Sequence, residues 1–238
     1  MPRFEAPPTV YKYLHSDRID FFDCPCLRFT PIEELNDPFE SLVSMHREES
    51  ENFLFGLLRL AQVDMNSLLH SMLNAFSRTG VLSLTTDCTN LLMWSHYANN
   101  HRGLVFEFDS NNEFFKSLDA VVYSKDRLYF DEISESKNHK ASLLYRSIYY
   151  KSLDWSYENE WRLFKIWIHK LPQIKEGVIG LVECPLESLK SIYLGMRASG
   201  ELKIAATKFC RNHNHVKLYQ AKLHPSNFEL NFFEMPLE

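Results

Sequence analysis

The segment Trp161-Arg162-Leu163-Phe164-Lys165-Ile166-Trp167-Ile168 constrains the fold more than any other stretch of the chain. Trp161, Leu163, Ile166 and Ile168 supply a core face, while Phe164 and Trp167 break the alternation of a half-exposed strand. Apolar residues on both sides describe a strand covered from above and below, so the chain must build layers around a sheet. Glu158 and Glu160 stand directly before it. On an extended backbone residues i and i+2 leave the same face, which predicts two carboxylates side by side at the mouth of a buried strand. Such a pair is costly unless something uses it; the plain alternative is two solvated acids at a strand start.

The remaining pattern supplies the other elements. Val10–Leu14, Leu27–Phe29, Gly80–Thr86, Leu104–Phe108, Ala120–Tyr123, Val178–Cys184, Ser191–Leu194, Val216–Tyr219 and Phe228–Leu230 read as short strands. In the first, Tyr11 and Tyr13 share one face and Lys12 takes the other; in the third, Ser83 and Thr85 oppose Leu82 and Leu84. Helical periodicity runs from Glu48 to Phe76 as a hairpin broken near Gln62–Asn66, and again over Lys137–Lys151 with Leu143, Leu144, Ile148 and Leu153 inward. Asn90–Ala98 gives one or two helical turns and Glu201–Arg211 a longer helix. Asn36-Asp37-Pro38 is a turn, because proline drives the residue before it to extended geometry. The expectation is a single α+β domain over residues 1–238, with many short strands and a helical hairpin insertion at about 48–79.

Composition removes several function classes. Seven glycines and no glycine-rich phosphate loop argue against P-loop and Rossmann-type nucleotide sites. A net charge of -5 provides no basic stripe for sequence-blind nucleic-acid binding, so a nucleic-acid substrate would need a local patch. Five scattered cysteines, with Cys24-Pro25-Cys26 as a weak metal signal, read as reduced thiols. No apolar run has the length of a membrane span, and the expectation is a cytoplasmic protein with no membrane partner.

Taken together, Tyr11-Lys12-Tyr13, Asn36-Asp37-Pro38-Phe39-Glu40, Met93-Trp94-Ser95-His96-Tyr97 with His101 and Gly103, and Glu158-x-Glu160-Trp161-Arg162 resemble an uncharacterised prokaryotic family. That family is in turn distantly similar to the ADP-ribosyltransferase fold. The second resemblance implies NAD as a substrate, with Glu158 and Glu160 as the catalytic carboxylates. It implies a basic residue of the first strands, Lys12 or Arg28, on the pyrophosphate, and Ser83 with Thr85 as the middle-strand hydroxyl motif. Tyr13, Asn36, Asp37, Trp94, His96 and Tyr97 complete the implied substrate-contact set, and no metal is implied. Lys12 stands where such transferases usually carry arginine or histidine, and Ser83-Leu84-Thr85 only approximates their serine motif. Small bacterial members of that fold often resemble toxins or antiphage effectors, which implies a nucleic-acid or protein acceptor and an antitoxin or chaperone partner.

Cleavage of a nicotinamide–ribose bond passes through an oxocarbenium-like state, which a fixed carboxylate stabilises more than it stabilises the substrate. Glu160 is assigned that role, and Glu158 the positioning or deprotonation of the acceptor. Two rival classes fit the same residues. Asp37, Glu40, Glu158 and Glu160 suit a Mg²⁺-dependent nuclease or phosphoesterase with Lys12 near the phosphate. The acids and aromatics also suit a binding module without catalysis.

Overall fold

The computed structural model of the chain describes residues 4–40, 77–127, 146–168, 171–172 and 178–237. Its strands are β1 (Thr9–Leu14), β2 (Cys26–Arg28), β3 (Thr30–Pro31), β4 (Thr79–Thr85), β5 (Leu104–Asp109), β6 (Asp119–Ala120) and β7 (Val122–Ser124). They continue as β8 (Tyr150–Ser152), β9 (Glu160–Ile166), β10 (Leu181–Glu183), β11 (Leu189–Leu194), β12 (Lys217–Leu223) and β13 (Leu230–Glu234). α1 (Leu91–His96) and α2 (Gly200–Asn212) accompany them, and residues 146–148 are helical as well. The architecture is mixed α+β and dominated by sheet.

The main sheet runs β13-β12-β11-β5-β1-β4-β9-β6, with β3 beside β4. Its neighbours pair antiparallel except β11 and β12, which are parallel and joined through α2. Ser199 caps that helix by accepting from the Leu202 N–H, and Leu202, Ala206, Phe209 and Cys210 form its buried stripe. The stripe packs on the 3-10 segment Ser16–Phe22 and on Leu82, Leu84, Phe106, Phe108, Leu163 and Ile192. These alternate sheet positions make one face the main core. On the opposite face Tyr13 and Val105 pack against Met93 and Trp94 of α1, beside a row of polar groups.

The sheet is uneven at its centre. β1 follows β5 in register from Thr9↔Asp109 to Leu14↔Leu104, and β4 follows β9 from Thr79↔Ile166 to Thr85↔Glu160. Between β1 and β4 the register pair is Tyr11↔Thr85 alone among the described residues. Beyond it the two strands part, opening the sheet into two half-sheets. The Ser83 carbonyl, which the next rung would use, instead accepts from the Lys12 ammonium at 2.8 Å. Lys12, expected on the face opposite Tyr11 and Tyr13, therefore leans into the same opening as both.

Several sequence expectations need correction. The hairpin expected over 48–79 lies outside the described residues up to 76, and its expected end is already strand, since β4 starts at Thr79. The Lys137–Lys151 helix falls partly outside them as well; the described part ends before Tyr150, where β8 takes Lys151 into a strand. Ile148 is buried as expected, whereas Leu153 is exposed in the 3-10 turn that follows. The strand of Trp161–Ile168 is covered on both faces only at its start: Arg162 and Leu163 are buried, but Ile168 is 83% exposed. The cause is sheet length, because β9 outruns its partner after Ile166↔Thr79.

Candidate functional site

The parting of β1 and β4 makes a cleft of about 210 Å³, with Glu158 and Glu160 on its wall. The two carboxylates do not converge by strand alternation. Glu158 ends a 3-10 turn, Asn159 adopts the left-handed conformation (φ 44°, ψ 49°), and Glu160 opens β9. Asparagine is among the few residues that visit this region at modest cost. The turn aims both acids at one point, the ammonium of Lys151.

Lys151 Nζ lies 2.6 Å from Glu158 Oε2, 3.1 Å from Glu160 Oε2 and 2.9 Å from Glu40 Oε1, and all four side chains are buried. Arg162 closes the ring. Its guanidinium donates to both oxygens of Glu160 at 2.8 Å, to Glu40 Oε2 at 2.9 Å and to the Ile148 carbonyl at 2.5 Å. The Glu160 N–H donates to the Tyr123 hydroxyl, and Ser83 also hydrogen-bonds the Glu160 side chain. Glu158 differs: besides Lys151, it accepts from Tyr97, at 2.5 Å.

Three carboxylates thus share two cations, and the imbalance falls on one of them. Burial opposes ionisation of Glu160, but Arg162 and Lys151 outweigh it and hold the carboxyl well below the usual range. Burial and the Glu160 charge push Glu158 upward, against Lys151 and Tyr97. Burial would discharge Lys151 and Arg162, yet Glu160 and Glu40 keep both firmly protonated. The result is one locked anion beside one carboxyl with heightened proton affinity.

Lys12 is the other cation of the cleft. Its ammonium has the Ser83 carbonyl as acceptor and no carboxylate within ion-pair distance among the described residues. Burial lowers it to about 8, with Glu160 pulling the other way.

Of the residues singled out in the sequence, the cleft gathers Lys12, Tyr13, Asn36, Ser83, Thr85, Tyr97, Glu158 and Glu160. Thr85 acts through the backbone, donating to the Glu158 carbonyl at 2.6 Å. Asn36 donates to the Tyr97 hydroxyl at 3.3 Å. Four others stand outside the lining. Arg28 is held by Glu34 at 2.6 Å and by the Ile179 carbonyl, which leaves Lys12 as the cation facing the cleft. Trp94 is wholly buried, donating from Nε1 to the Cys88 carbonyl, so its ring is core and not a stacking surface. His96 is exposed and meets the Tyr157 hydroxyl at 3.0 Å. Asp37 is buried in its turn, one oxygen accepting from the Phe39 N–H and the other without a partner among the described residues.

Residues 93–163 match the model of a family described as a protein of unknown function (DUF2971). No curated protein and no solved structure matches the chain. The matched segment contains Tyr97, Lys151, Glu158, Glu160 and Arg162, whereas Lys12, Glu40 and Ser83 lie before it.

Lys151 and Arg162 were not among the residues assigned a role from sequence, and Glu40 entered only as a metal ligand. A lysine at the end of a helical pattern reads as solvated, and nothing local announces that Arg162 pairs with a glutamate 122 positions away. The signal available was Glu158 and Glu160 themselves, since buried acids require cations. Among the described residues no group of histidine, cysteine or acidic side chains is arranged to hold a metal ion, and no helix is long and apolar enough to cross a membrane.

Proposed function

We propose that the cleft between β1 and β4 binds NAD and transfers its ADP-ribose to a macromolecule. The observation carrying this reading is the pairing of a locked anion, Glu160, with a carboxyl of raised proton affinity, Glu158, opposite a cation that has no carboxylate partner among the described residues, Lys12. Pockets for whole small molecules begin near about 300 Å³, so this cleft suits the nicotinamide–ribose end, with the adenosine on the open side. Lys12 then meets the pyrophosphate as a charge-assisted donor.

In the reaction the bond from ribose C1′ to the nicotinamide nitrogen breaks, and nicotinamide leaves with the electron pair. The fixed charge of Glu160 faces the cationic ribose; being saturated by Arg162 and Lys151, it cannot collapse onto it. An acceptor hydroxyl or amine bonds to C1′ and gives its proton to Glu158. Preorganised charge of this kind is typically worth about 10²–10³-fold in rate.

The Mg²⁺-hydrolase reading draws less support. Glu40, Glu158 and Glu160 already have lysine or arginine nitrogens within 3.1 Å, and a divalent ion would have to compete with both cations for the same oxygens.

The test is incubation with NAD labelled in the adenylate, with total cellular RNA and lysate protein as acceptors, for wild type and for Glu158→Gln and Glu160→Gln. Label on a macromolecule with wild type, reduced about 100-fold or more in Glu158→Gln, is expected. Folded wild-type protein that consumes no NAD with any acceptor would end this reading.

A further inference from the structure

A second cavity of about 300 Å³ shares Lys151 with the cleft. Lys151 lines both, and its ammonium is the one that holds Glu40, Glu158 and Glu160. Its walls come from the end of β7, from β8 and from the Asn36–Glu40 turn. Three features set its chemistry. Lys125 and Arg127 are exposed on its rim, and neither is in an ion pair among the described residues. Phe39 is 61% exposed beside them. Among the described lining residues Asp126 is the one acid, set between Lys125 and Arg127.

We infer that this cavity is the acceptor site and that it takes single-stranded nucleic acid. This rests on the transferase reading of the neighbouring cleft and supplies what that reading lacks, a place for the second substrate. Two cations without an ion-pair partner among the described residues, lining one cavity with an exposed ring, match the alternation of phosphate and base in a single strand. An unpaired base stacks on Phe39 while the flanking phosphates meet Lys125 and Arg127. A base-paired duplex would hide the faces that Phe39 requires. An acidic peptide would satisfy the cations and leave the exposed ring unused. From this cavity a nucleobase or ribose nucleophile approaches the carboxylates past Lys151, while NAD occupies the opening between β1 and β4.

The experiment uses the full chain and fluorescein-labelled single-stranded decamers of RNA and of DNA, followed by fluorescence anisotropy at 50 and 200 mM salt. Wild type is expected to bind at least one decamer, and the RNA and DNA arms show which sugar is accepted. In Lys125→Glu/Arg127→Glu, binding is expected to weaken at least 10-fold and the salt slope to fall by about 1.4, for two phosphate contacts at about 0.7 each. Phe39→Ala is expected to weaken binding with little change in slope. The charge-conserving Lys125→Arg/Arg127→Lys protein, expected to bind like wild type, controls for folding. No binding by wild type, or binding indifferent to the charge reversal, overturns the inference, as does exclusive labelling of lysate protein in the transfer assay. Nicotinamide release without oligonucleotide is a separate readout of the cleft: its absence counts against the transferase reading, while the anisotropy result still decides the cavity.

Discussion

The Lys151 ammonium sits 2.6 Å from Glu158 and 2.9 Å from Glu40, tying the Asn36–Glu40 turn to the entrance of β9. No solvent screens these contacts, and the cation has no replacement. Lys151→Met therefore leaves Glu40 and Glu160 to Arg162 and leaves Glu158 with the Tyr97 hydroxyl in place of a cation. Removing one partner of a buried pair commonly costs about 3–5 kcal/mol. Urea unfolding should show a loss of that order; a loss under 1 kcal/mol would mean the cluster is open to water.

The same cluster sets the acid limit of stability. Glu160 titrates at 4.5 when unfolded and lower when folded. Its contribution is thus complete above 4.5 and disappears as the pH falls from there through the folded value. Glu158 has the opposite sign: with its folded value raised, the cost of keeping it charged is relieved as the pH falls through that value. Wild type should lose stability below pH 4.5 more steeply than Glu160→Gln, as read by thermal melts across pH.

Turnover should have its own acid limb. Glu158 accepts a proton only when ionised, and burial beside Glu160 raises its value above 4.5. The rate at saturating NAD is expected to fall as the pH drops through a value above 4.5, and the limb should vanish in the residual activity of Glu158→Gln. A limb that persists in that variant would assign the titration elsewhere.

Lys12 predicts a basic limb in affinity. Protonated below about 8, its ammonium can meet a pyrophosphate; above that value the charge is lost. The KM for NAD should rise as pH passes about 8, and Lys12→Gln should raise it about 10-fold at pH 7 while flattening that rise. Unchanged KM in Lys12→Gln would remove Lys12 from the binding site.

Asn159 offers a conformational test. At φ 44° a β-branched side chain is strained by about 1–2 kcal/mol, whereas glycine is not. Asn159→Val should lower stability by about that amount and lower transfer more, because both carboxylates pivot on this residue. Asn159→Gly should keep activity near wild type.

Much of the framework could be read from the residues. The runs at Val10–Leu14, Gly80–Thr86 and Leu104–Phe108 carry alternation strong enough to set strand and face, and the stripe of Leu202, Ala206, Phe209 and Cys210 marks its helix. Glu158 and Glu160 stood out because acids beside so apolar a strand are conspicuous. Their convergence is what strand alternation predicts, but its cause is not legible, since it depends on a left-handed asparagine, and asparagine adopts that conformation only as a minority choice. Arg28 and Lys12 looked equivalent in sequence and were separated only by Glu34, whose hold on Arg28 is a tertiary contact. Alternation places Lys12 on the face away from the tyrosines, because it assumes that neighbouring strands stay paired.

That departure from pairing has a consequence for how the molecule responds to what it binds. Each strand at an ordinary seam uses up its neighbour's amides and carbonyls; here the ladder between β1 and β4 stops at Tyr11 and Thr85, the Lys12 ammonium stands in at Ser83, and β3 takes up β4 only at Val81 and Gly80. A molecule seated there becomes a rung of the sheet, completing by its own polar groups a ladder that the polypeptide leaves unfinished. The two half-sheets are then braced through their guest, so amide exchange along β1 and β4 should slow on binding even at positions the guest never touches.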